Sequence, residues 1–186
     1  MKIVTAPNPI LSEQAKPVGK ITPQILKLIK DMKVTLTQAS DPEGVGLAAP
    51  QVGQSYRIFI AKPTPKSNAL VFINPKIVKL SALRLPTIAV DRRRKAKSQQ
   101  KLEGCLSLKD IWGTVRRSPK LTLKYLDEKG VVQTKEFKDF LATIVQHEYD
   151  HLNGVLFPKR VLEQKGKLYK SSKDEEGEDI FEELNI

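Results

Sequence analysis

The sequence is poor in the residue types that cross-link secreted proteins or anchor membrane proteins. It has one cysteine and two histidines among 186 residues, and aromatic residues make up only 6% of the chain. A single cysteine excludes an internal disulfide and favours a reducing, cytoplasmic location. No apolar run is long enough to cross a bilayer, and residues 1–14 lack the basic start and apolar core of a signal peptide. We therefore expect no membrane partner.

Acidic residues are outnumbered except at the C-terminus. The chain carries a net charge of +11, and residues 171–186 contribute −6 through seven acids and one lysine, which leaves +17 on residues 1–170. A strongly basic surface attracts polyanions such as RNA, although an excess of one charge also serves solubility. Six cations lie within residues 92–101, in a loop predicted over about 81–101. Both a solvated loop and an RNA-contacting patch fit this cluster.

Both histidines belong to one pattern, H-E-x-x-H, at residues 147–151. Residues i and i+4 of a helix share one face, so His147 and His151 can present two imidazoles to a single point. Glu148 reaches the same space and can move protons for a metal-bound water. The pattern therefore predicts a metal site with an acid–base residue beside it.

This pattern supplies two of the three protein ligands that a catalytic metal usually has. The sequence has no third histidine, so a carboxylate or a thiolate has to complete the set. Glu163 and Asp150 are the acidic candidates, and Cys105 is the only thiol. The glycine before Cys105 allows close backbone approach, and a thiolate is a strong ligand for soft or borderline divalent ions. The residues alone leave these candidates open.

Hydrophobic spacing predicts a mixed fold. Apolar residues that recur every three or four positions predict a helix over about 23–38 and a second, which carries the histidines, over about 139–153. Alternating patterns predict strands at 120–126 and 131–137, with further apolar strands at 56–61, 69–73 and 77–80. We therefore predict an α+β fold in which antiparallel strand groups pack around one central buried helix that carries the H-E-x-x-H pattern.

Three segments together resemble the signature motifs of peptide deformylases. They read GVGLAAPQ at 44–51, EGCLS at 103–107 and QHEYDHL at 146–152, in that order. The resemblance extends from about Ile3 to Phe157. It implies a peptide deformylase-like fold and the metal-dependent hydrolysis that removes the formyl group from formylmethionine of newly synthesised proteins and releases formate. The family commonly has a proline two residues after the serine of the second motif, where this chain has Leu108-Lys109.

The resemblance implies a metal centre of known composition. Cys105, His147 and His151 would bind one divalent ion per chain, with water in the fourth position. Iron(II) would be the physiological ion, and zinc or nickel would be found after aerobic purification. A thiolate softens the site, which makes both iron and zinc chemically plausible.

Catalytic and substrate-binding residues also follow from the resemblance. Glu148 would act first as general base and then as general acid, while the Gln51 amide and the Leu106 backbone N–H would stabilise the oxyanion. Glycine backbones would pair with an extended peptide, and an apolar pocket would take the methionine side chain. The residues expected to bind substrate are Val45, Gly46, Gly104, Trp112, Thr143 and Ile144.

These motifs place one catalytic domain in residues 1–170, with a basic insertion loop at about 81–101. We expect residues 171–186 to form a flexible acidic tail. The expected partners are formylated nascent polypeptides, with transient ribosome contact through the basic surface. Two alternatives are a zinc endopeptidase of the H-E-x-x-H type, which the missing third ligand after His151 disfavours, and an inactive relative that serves as a basic ribosome- or RNA-binding module.

Overall fold

The structure, a computed structural model, describes residues 1–39, 43–82 and 102–185, so the predicted basic cluster at 92–101 lies outside the described residues. The described helices are α1 (Pro23–Gln38), α2 (Asp139–His151) and α3 (Phe157–Glu163). The described strands are β1 (Gly46–Ala48), β2 (Ile58–Ala61), β3 (Leu70–Leu80), β4 (Leu102–Cys105), β5 (Leu108–Thr114), β6 (Lys120–Leu126), β7 (Val132–Lys138), β8 (Leu168–Lys173) and β9 (Asp179–Leu184).

A five-stranded antiparallel sheet with the order β1-β2-β3-β6-β7 forms the larger layer. The alternation predicted for residues 120–126 is present in β6, because Leu121, Leu123 and Tyr125 are buried while Lys120 and Lys124 are exposed. Side chains of a strand alternate between the two faces of a sheet, so this pattern defines one apolar face. Aromatic rings fill its centre, where Phe72 contacts Phe59, Tyr125 and Phe137.

Helix α2 packs on the apolar face of this sheet. Ala142, Ile144 and Val145 belong to the same core cluster as residues of β2, β3 and β6. Eight of its thirteen residues are buried, and five of these eight are polar or ionisable. Buried polar side chains in such number need partners inside the protein, so the C-terminal half of the helix is a candidate for a functional site. The predicted α+β class is confirmed.

A second antiparallel sheet with the order β4-β5-β8-β9 lies beside α3. Phe157 and Val161 of α3 share a small core with Cys105 and Leu168. The approach is close at Gly113 of β5, where an added Cβ would lie 2.7 Å from a methyl carbon of Val161. The sequence patterns predicted none of β4, β5 and α3, because these elements are short and only partly apolar.

The C-terminus differs from the expected flexible tail. In the structure residues 168–184 form the hairpin β8–β9, which extends the second sheet. Leu168 is buried and Leu184 packs against the same core. Two pairs of opposite charge, Lys167–Glu183 and Lys173–Asp179, cross the hairpin and partly offset its acidic charge. Apolar contacts with distant residues therefore hold a strand pair where composition alone predicted a flexible tail.

Strand β3 is continuous through Asn74-Pro75, where the sequence predicted a break between two strands. Asn74 adopts a positive φ of 49°, and the pairing with β6 shifts register there, so the irregularity is a bulge. The Asn74 side chain accepts a hydrogen bond from the Val18 backbone N–H and donates one to the Val18 carbonyl, both at 2.8 Å. These two bonds fasten the N-terminal segment to the sheet.

Helix α1 has the predicted bounds. It starts at Pro23, whose fixed φ suits the first helical position, and its apolar face buries Ile29 and Met32 against the other side of the first sheet. None of the helices in the described part of the chain has the length and apolarity needed to traverse a membrane.

Candidate metal centre

The end of β4 and the last turns of α2 meet where the two layers join. Cys105, His147 and His151 are all buried there, and their candidate ligand atoms lie within 4.8 Å of one another. The Cys105 Sγ is 3.3 Å from the His151 Nε2, which is 3.2 Å from the His147 Nε2. The helical spacing of the two histidines and the strand that delivers the cysteine thus bring together the three predicted ligands.

The spacing of these atoms fits a metal ion. Ligand pairs around a tetrahedral ion with bonds of about 2.0–2.3 Å lie about 3.3–3.6 Å apart, close to the distances between Cys105, His151 and His147. One thiolate and two imidazoles are a donor set for zinc, iron and related divalent ions. The residues present therefore fit the metal that the sequence predicted.

Glu103 fixes the orientation of His147. The imidazole Nδ1 lies 2.7 Å from the Glu103 carboxylate, and an Nδ1–H that donates to it leaves Nε2 free to face the centre. Glu103 belongs to the second motif, but no role was predicted for it. No sequence pattern indicated this role, because the contact joins residues that are 44 positions apart in the chain.

The two acidic candidates for the third ligand have other partners. Asp150 accepts hydrogen bonds from Arg117 at 2.6 Å and from Arg160 at 2.7 Å, and Glu163 pairs with Arg160. Arg117 also makes two hydrogen bonds to Glu103, at 2.6 and 3.0 Å. The buried guanidinium of Arg117 therefore links the carboxylate behind His147 to the carboxylate of α2, and the two acids are already held by cations.

The electrostatics of the centre favour a cation. Burial disfavours the Cys105 thiolate, but the His151 and His147 rings outweigh it and hold the pKa of Cys105 well below its usual value. Burial also disfavours a charged His147, but Glu103 and Cys105 raise its pKa well above 6.5. A lowered pKa favours the thiolate, which is the form of sulfur that binds metal, and the negative groups of the centre attract either a proton or a metal ion.

Glu148 lies against the same centre. It is 3% exposed, and its Oε2 has no hydrogen-bond partner among the described residues. Burial is the main cause that raises its pKa from 4.5 to about 7. The carboxylate packs on the backbone of Gly46, where an added Cβ would overlap it, so a larger residue at this position of β1 would displace the carboxylate. A carboxyl group with this pKa can both accept and release a proton near neutral pH.

Gln51 lies beside Cys105, in the 3₁₀ turn that follows β1. Its side-chain carbonyl accepts a hydrogen bond from the Ala48 N–H at 2.8 Å, which orients the amide group. The amide nitrogen then donates to Ser107 Oγ at 3.3 Å and to Cys105 Sγ at 3.5 Å. The fully buried Gln51 is thereby held as a donor directed at the metal centre.

A cleft of about 790 Å³ opens onto the centre. Except for His151, which is buried behind it, every predicted site residue lines this cleft. These lining residues are Val45, Gly46, Gln51, Gly104, Cys105, Leu106, Trp112, Thr143, Ile144, His147 and Glu148. The walls also include Val115, Pro119 and Phe140, which were not among the predicted site residues.

The cleft separates two edge strands. β1 is the terminal strand of the first sheet and β4 that of the second. Gly46 and Gly104, in these two strands, both line the cleft. An edge strand presents backbone donors and acceptors that an extended peptide can pair with, so the arrangement suits a peptide ligand.

Comparisons with known proteins point to one family. A sequence profile described as polypeptide deformylase matches residues 1–167. A peptide deformylase of Desulforudis audaxviator is 38% identical over 159 residues, which cover 86% of this chain and 92% of that protein. The crystal structure of a peptide deformylase from Synechococcus elongatus in complex with actinonin has a TM-score of 0.72 and 32% identity, and covers 86% of this chain and 79% of that one. A class I type b peptide deformylase from Acinetobacter baumannii with Met-Ala-Ser bound has a TM-score of 0.70 and 33% identity, with coverage of 86% and 97%.

Proposed function

The chain belongs to the polypeptide deformylase family and is a hydrolase that acts on the formyl amide bond, and we propose that Cys105, His147 and His151 hold one catalytic divalent metal ion. The observation that carries the proposal is the convergence of one sulfur and two imidazole nitrogens within 4.8 Å. When bound, such an ion acts as a Lewis acid and lowers the pKa of water.

Glu148 is the acid–base residue of this proposal. In its ionised form it accepts the proton of the attacking water, and in its protonated form it delivers that proton to the amine that leaves. Burial, which raises its pKa to about 7, supports both roles at neutral pH. Its contact with Gly46 fixes the carboxylate beside the peptide path.

Two donors face the oxygen that becomes negative in the reaction. The Gln51 amide nitrogen is oriented by the bond from the Ala48 N–H to its carbonyl, and the backbone N–H of Leu106 follows Cys105 directly. Preoriented donors of this kind each contribute about 3 kcal/mol to transition-state stabilisation. We assign both residues to the oxyanion site.

The substrate is proposed to lie extended between β1 and β4. Its backbone would pair with Gly46 and Gly104, and the position of both glycines at cleft-lining sheet edges supports this. The methionine side chain would occupy the apolar part of the cleft lined by Val45, Thr143 and Ile144, and Trp112 would line the cleft beside it. Its peptide would be the formylated start of a nascent polypeptide.

We further propose iron(II) as the ion in the cell, supported by the soft thiolate in the donor set and by the family. Because formylated nascent chains are made on ribosomes, we propose that the enzyme works in the cytoplasm and contacts the ribosome transiently. The charge of +17 on residues 1–170 supports attraction to RNA phosphates. Metal analysis of anaerobically purified protein identifies the ion.

The test compares wild type with Glu148→Gln and Cys105→Ser. We expect wild type to release formate from formyl-Met-Ala and to leave an unformylated peptide intact. Glu148→Gln should retain the metal but lose about 10²–10⁴-fold in kcat. Cys105→Ser should lose the metal and the activity together. Full activity in Glu148→Gln would overturn the acid–base assignment, and internal cleavage of the unformylated peptide would identify an endopeptidase instead.

A further inference from the structure

Trp112, the only tryptophan of the chain, forms a wall of the cleft next to the metal centre. It lies in β5 directly across from Gly104 of β4 and from Tyr169 of β8. The indole packs on the backbone of Gly104, where an added Cβ would lie 2.7 Å from a ring carbon. One side of the indole therefore contacts the residue that precedes Cys105.

The C-terminal hairpin holds the indole from another side. The indole N–H donates a hydrogen bond to Ser171 Oγ at 3.0 Å. The Phe181 ring meets the indole edge to face, with centroids 5.9 Å apart and an interplanar angle of 86°. Ser171 of β8 and Phe181 of β9 are directly paired, so the two contacts come from a single cross-strand pair. Edge-to-face aromatic pairs add stability beyond the area that they bury.

The hairpin β8–β9 has anchors besides its contacts with Trp112. Leu168 and Leu184 anchor it in the core beside α3, and the ion pairs Lys167–Glu183 and Lys173–Asp179 connect its strands. It also lies beyond residue 167, where the match to the family profile ends. The contact with the cleft wall is therefore made by a segment outside the residues that the family profile matches.

We propose that the hairpin β8–β9 is a substrate-binding element of this enzyme, in which Ser171 and Phe181 position Trp112 as an apolar platform for the side chain of a residue that follows the formylmethionine. The proposal rests on the deformylase function proposed above. An indole held against the Gly104 backbone presents a flat apolar surface beside the extended peptide. Aliphatic and aromatic side chains bury well on such a surface.

The chain offers a matched pair of variants for the test. Phe181 and Ile180 are neighbours in β9 and are both 42% exposed. Successive strand residues point to opposite faces, so Ile180 faces away from Trp112. Phe181→Ala should raise KM about fivefold for formyl-Met-Leu-Leu and leave kcat within about twofold, because it affects binding of the downstream residue. Ile180→Ala should leave both constants unchanged, and formyl-Met alone should not distinguish the variants.

Fluorescence of the single tryptophan gives a readout that does not need activity. Phe181→Ala and Ser171→Ala should shift the emission of Trp112 to longer wavelength, while Ile180→Ala should keep the wild-type spectrum. Titration with the product peptide Met-Leu-Leu should change Trp112 emission in wild type and in Ile180→Ala. The same titration should show about fivefold weaker binding in Phe181→Ala.

The outcomes separate the two proposals. Wild-type protein that releases no formate would refute the proposed function, and the emission spectra would still show whether the hairpin holds the indole. Wild-type activity together with identical KM and emission in Phe181→Ala and Ile180→Ala would overturn the role of the hairpin. Equal increases of KM in both variants would also overturn it, because they would indicate a general loss of hairpin stability. If Phe181→Ala does not fold, Ser171→Ala decides by the same measurements.

Discussion

Two glutamates near His147, the buried Glu148 and the partly buried Glu103, have pKa values displaced in opposite directions. Burial raises the pKa of Glu148 from 4.5 to about 7, and the carboxylate oxygen Oε2 has no hydrogen-bond partner among the described residues. Burial acts in the same direction on Glu103, but His147 and Arg117 outweigh it and lower its pKa to about 2. A group with a raised acidic pKa destabilises the folded state once it ionises, whereas a group with a lowered pKa stabilises it.

Matched isosteric substitutions should therefore change stability with opposite sign in the metal-free protein. Each displacement corresponds to about 3 kcal/mol at a pH well above both pKa values. At pH 8, Glu148→Gln should raise the free energy of unfolding by up to about 3 kcal/mol, and Glu103→Gln should lower it by a similar amount. Urea unfolding of both variants and wild type measures the difference.

The pH dependence distinguishes these effects from simple packing changes. The penalty from Glu148 develops between pH 4.5 and about 7, so the advantage of Glu148→Gln should shrink to less than about 1 kcal/mol at pH 5. The contribution of Glu103 is lost only as the pH falls from 4.5 towards about 2, so the deficit of Glu103→Gln should persist at pH 5. A Glu148→Gln protein that is less stable than wild type at pH 8 would contradict the pKa of Glu148.

At the scale of elements, β3 depends on a side chain at its bulge. Asn74 has a positive φ and makes two hydrogen bonds to the backbone of Val18, so it sets the strand geometry and holds the N-terminal segment. Asn74→Gly keeps a residue that accepts positive φ but loses both bonds, which should cost about 1–2 kcal/mol. Asn74→Ala should cost about 1 kcal/mol more, because alanine is strained at positive φ.

Urea unfolding of the two variants measures these costs, and formate release should stay near the wild-type rate because Asn74 is not among the residues that line the cleft. Equal stability of Asn74→Ala and Asn74→Gly would show that positive φ is not required at this position. Wild-type stability of both would show that the bonds to Val18 contribute nothing.

Elements with a clear period were predicted, and elements without one were missed. The bounds of α1, β6 and α2 follow from apolar residues that repeat at helical or strand spacing. The second sheet has no such signal, because β4 and β5 contain glycine and charged residues, and β9 is mostly exposed. The hairpin β8–β9 is held in place by contacts with residues that are distant in the sequence, and a local pattern does not contain such contacts.

The same distinction applies to the site. The motifs predicted the three metal ligands, Glu148 and Gln51, because each of these residues lies in a short segment with a recognisable sequence. Arg117 and Arg160 carry no motif, and their roles depend on contacts with Glu103 and Asp150 that span up to 33 positions. Charged residues of this kind are recognised only when the fold brings their partners together.

At the scale of the whole molecule, the candidate ligands come from both layers. Cys105 ends β4 of the second sheet, while His147 and His151 lie on α2, which packs on the first sheet. An ion bound by all three would join the layers at a point where the cleft otherwise separates their edge strands. Metal binding should therefore contribute to global stability and not only to catalysis.

Removal of the metal with a chelator should lower the melting temperature. A ligand present at about 1,000 times its Kd stabilises the folded state by about 4 kcal/mol, which corresponds to a shift on the order of 10 °C for a chain of this length. Differential scanning calorimetry of protein with and without added zinc or iron(II) measures the shift. Cys105→Ala serves as the control, because it keeps both histidines but loses the ligand from the second sheet. Its melting temperature should respond little to added metal, and a full shift in this variant would show that the ion does not join the two layers through Cys105.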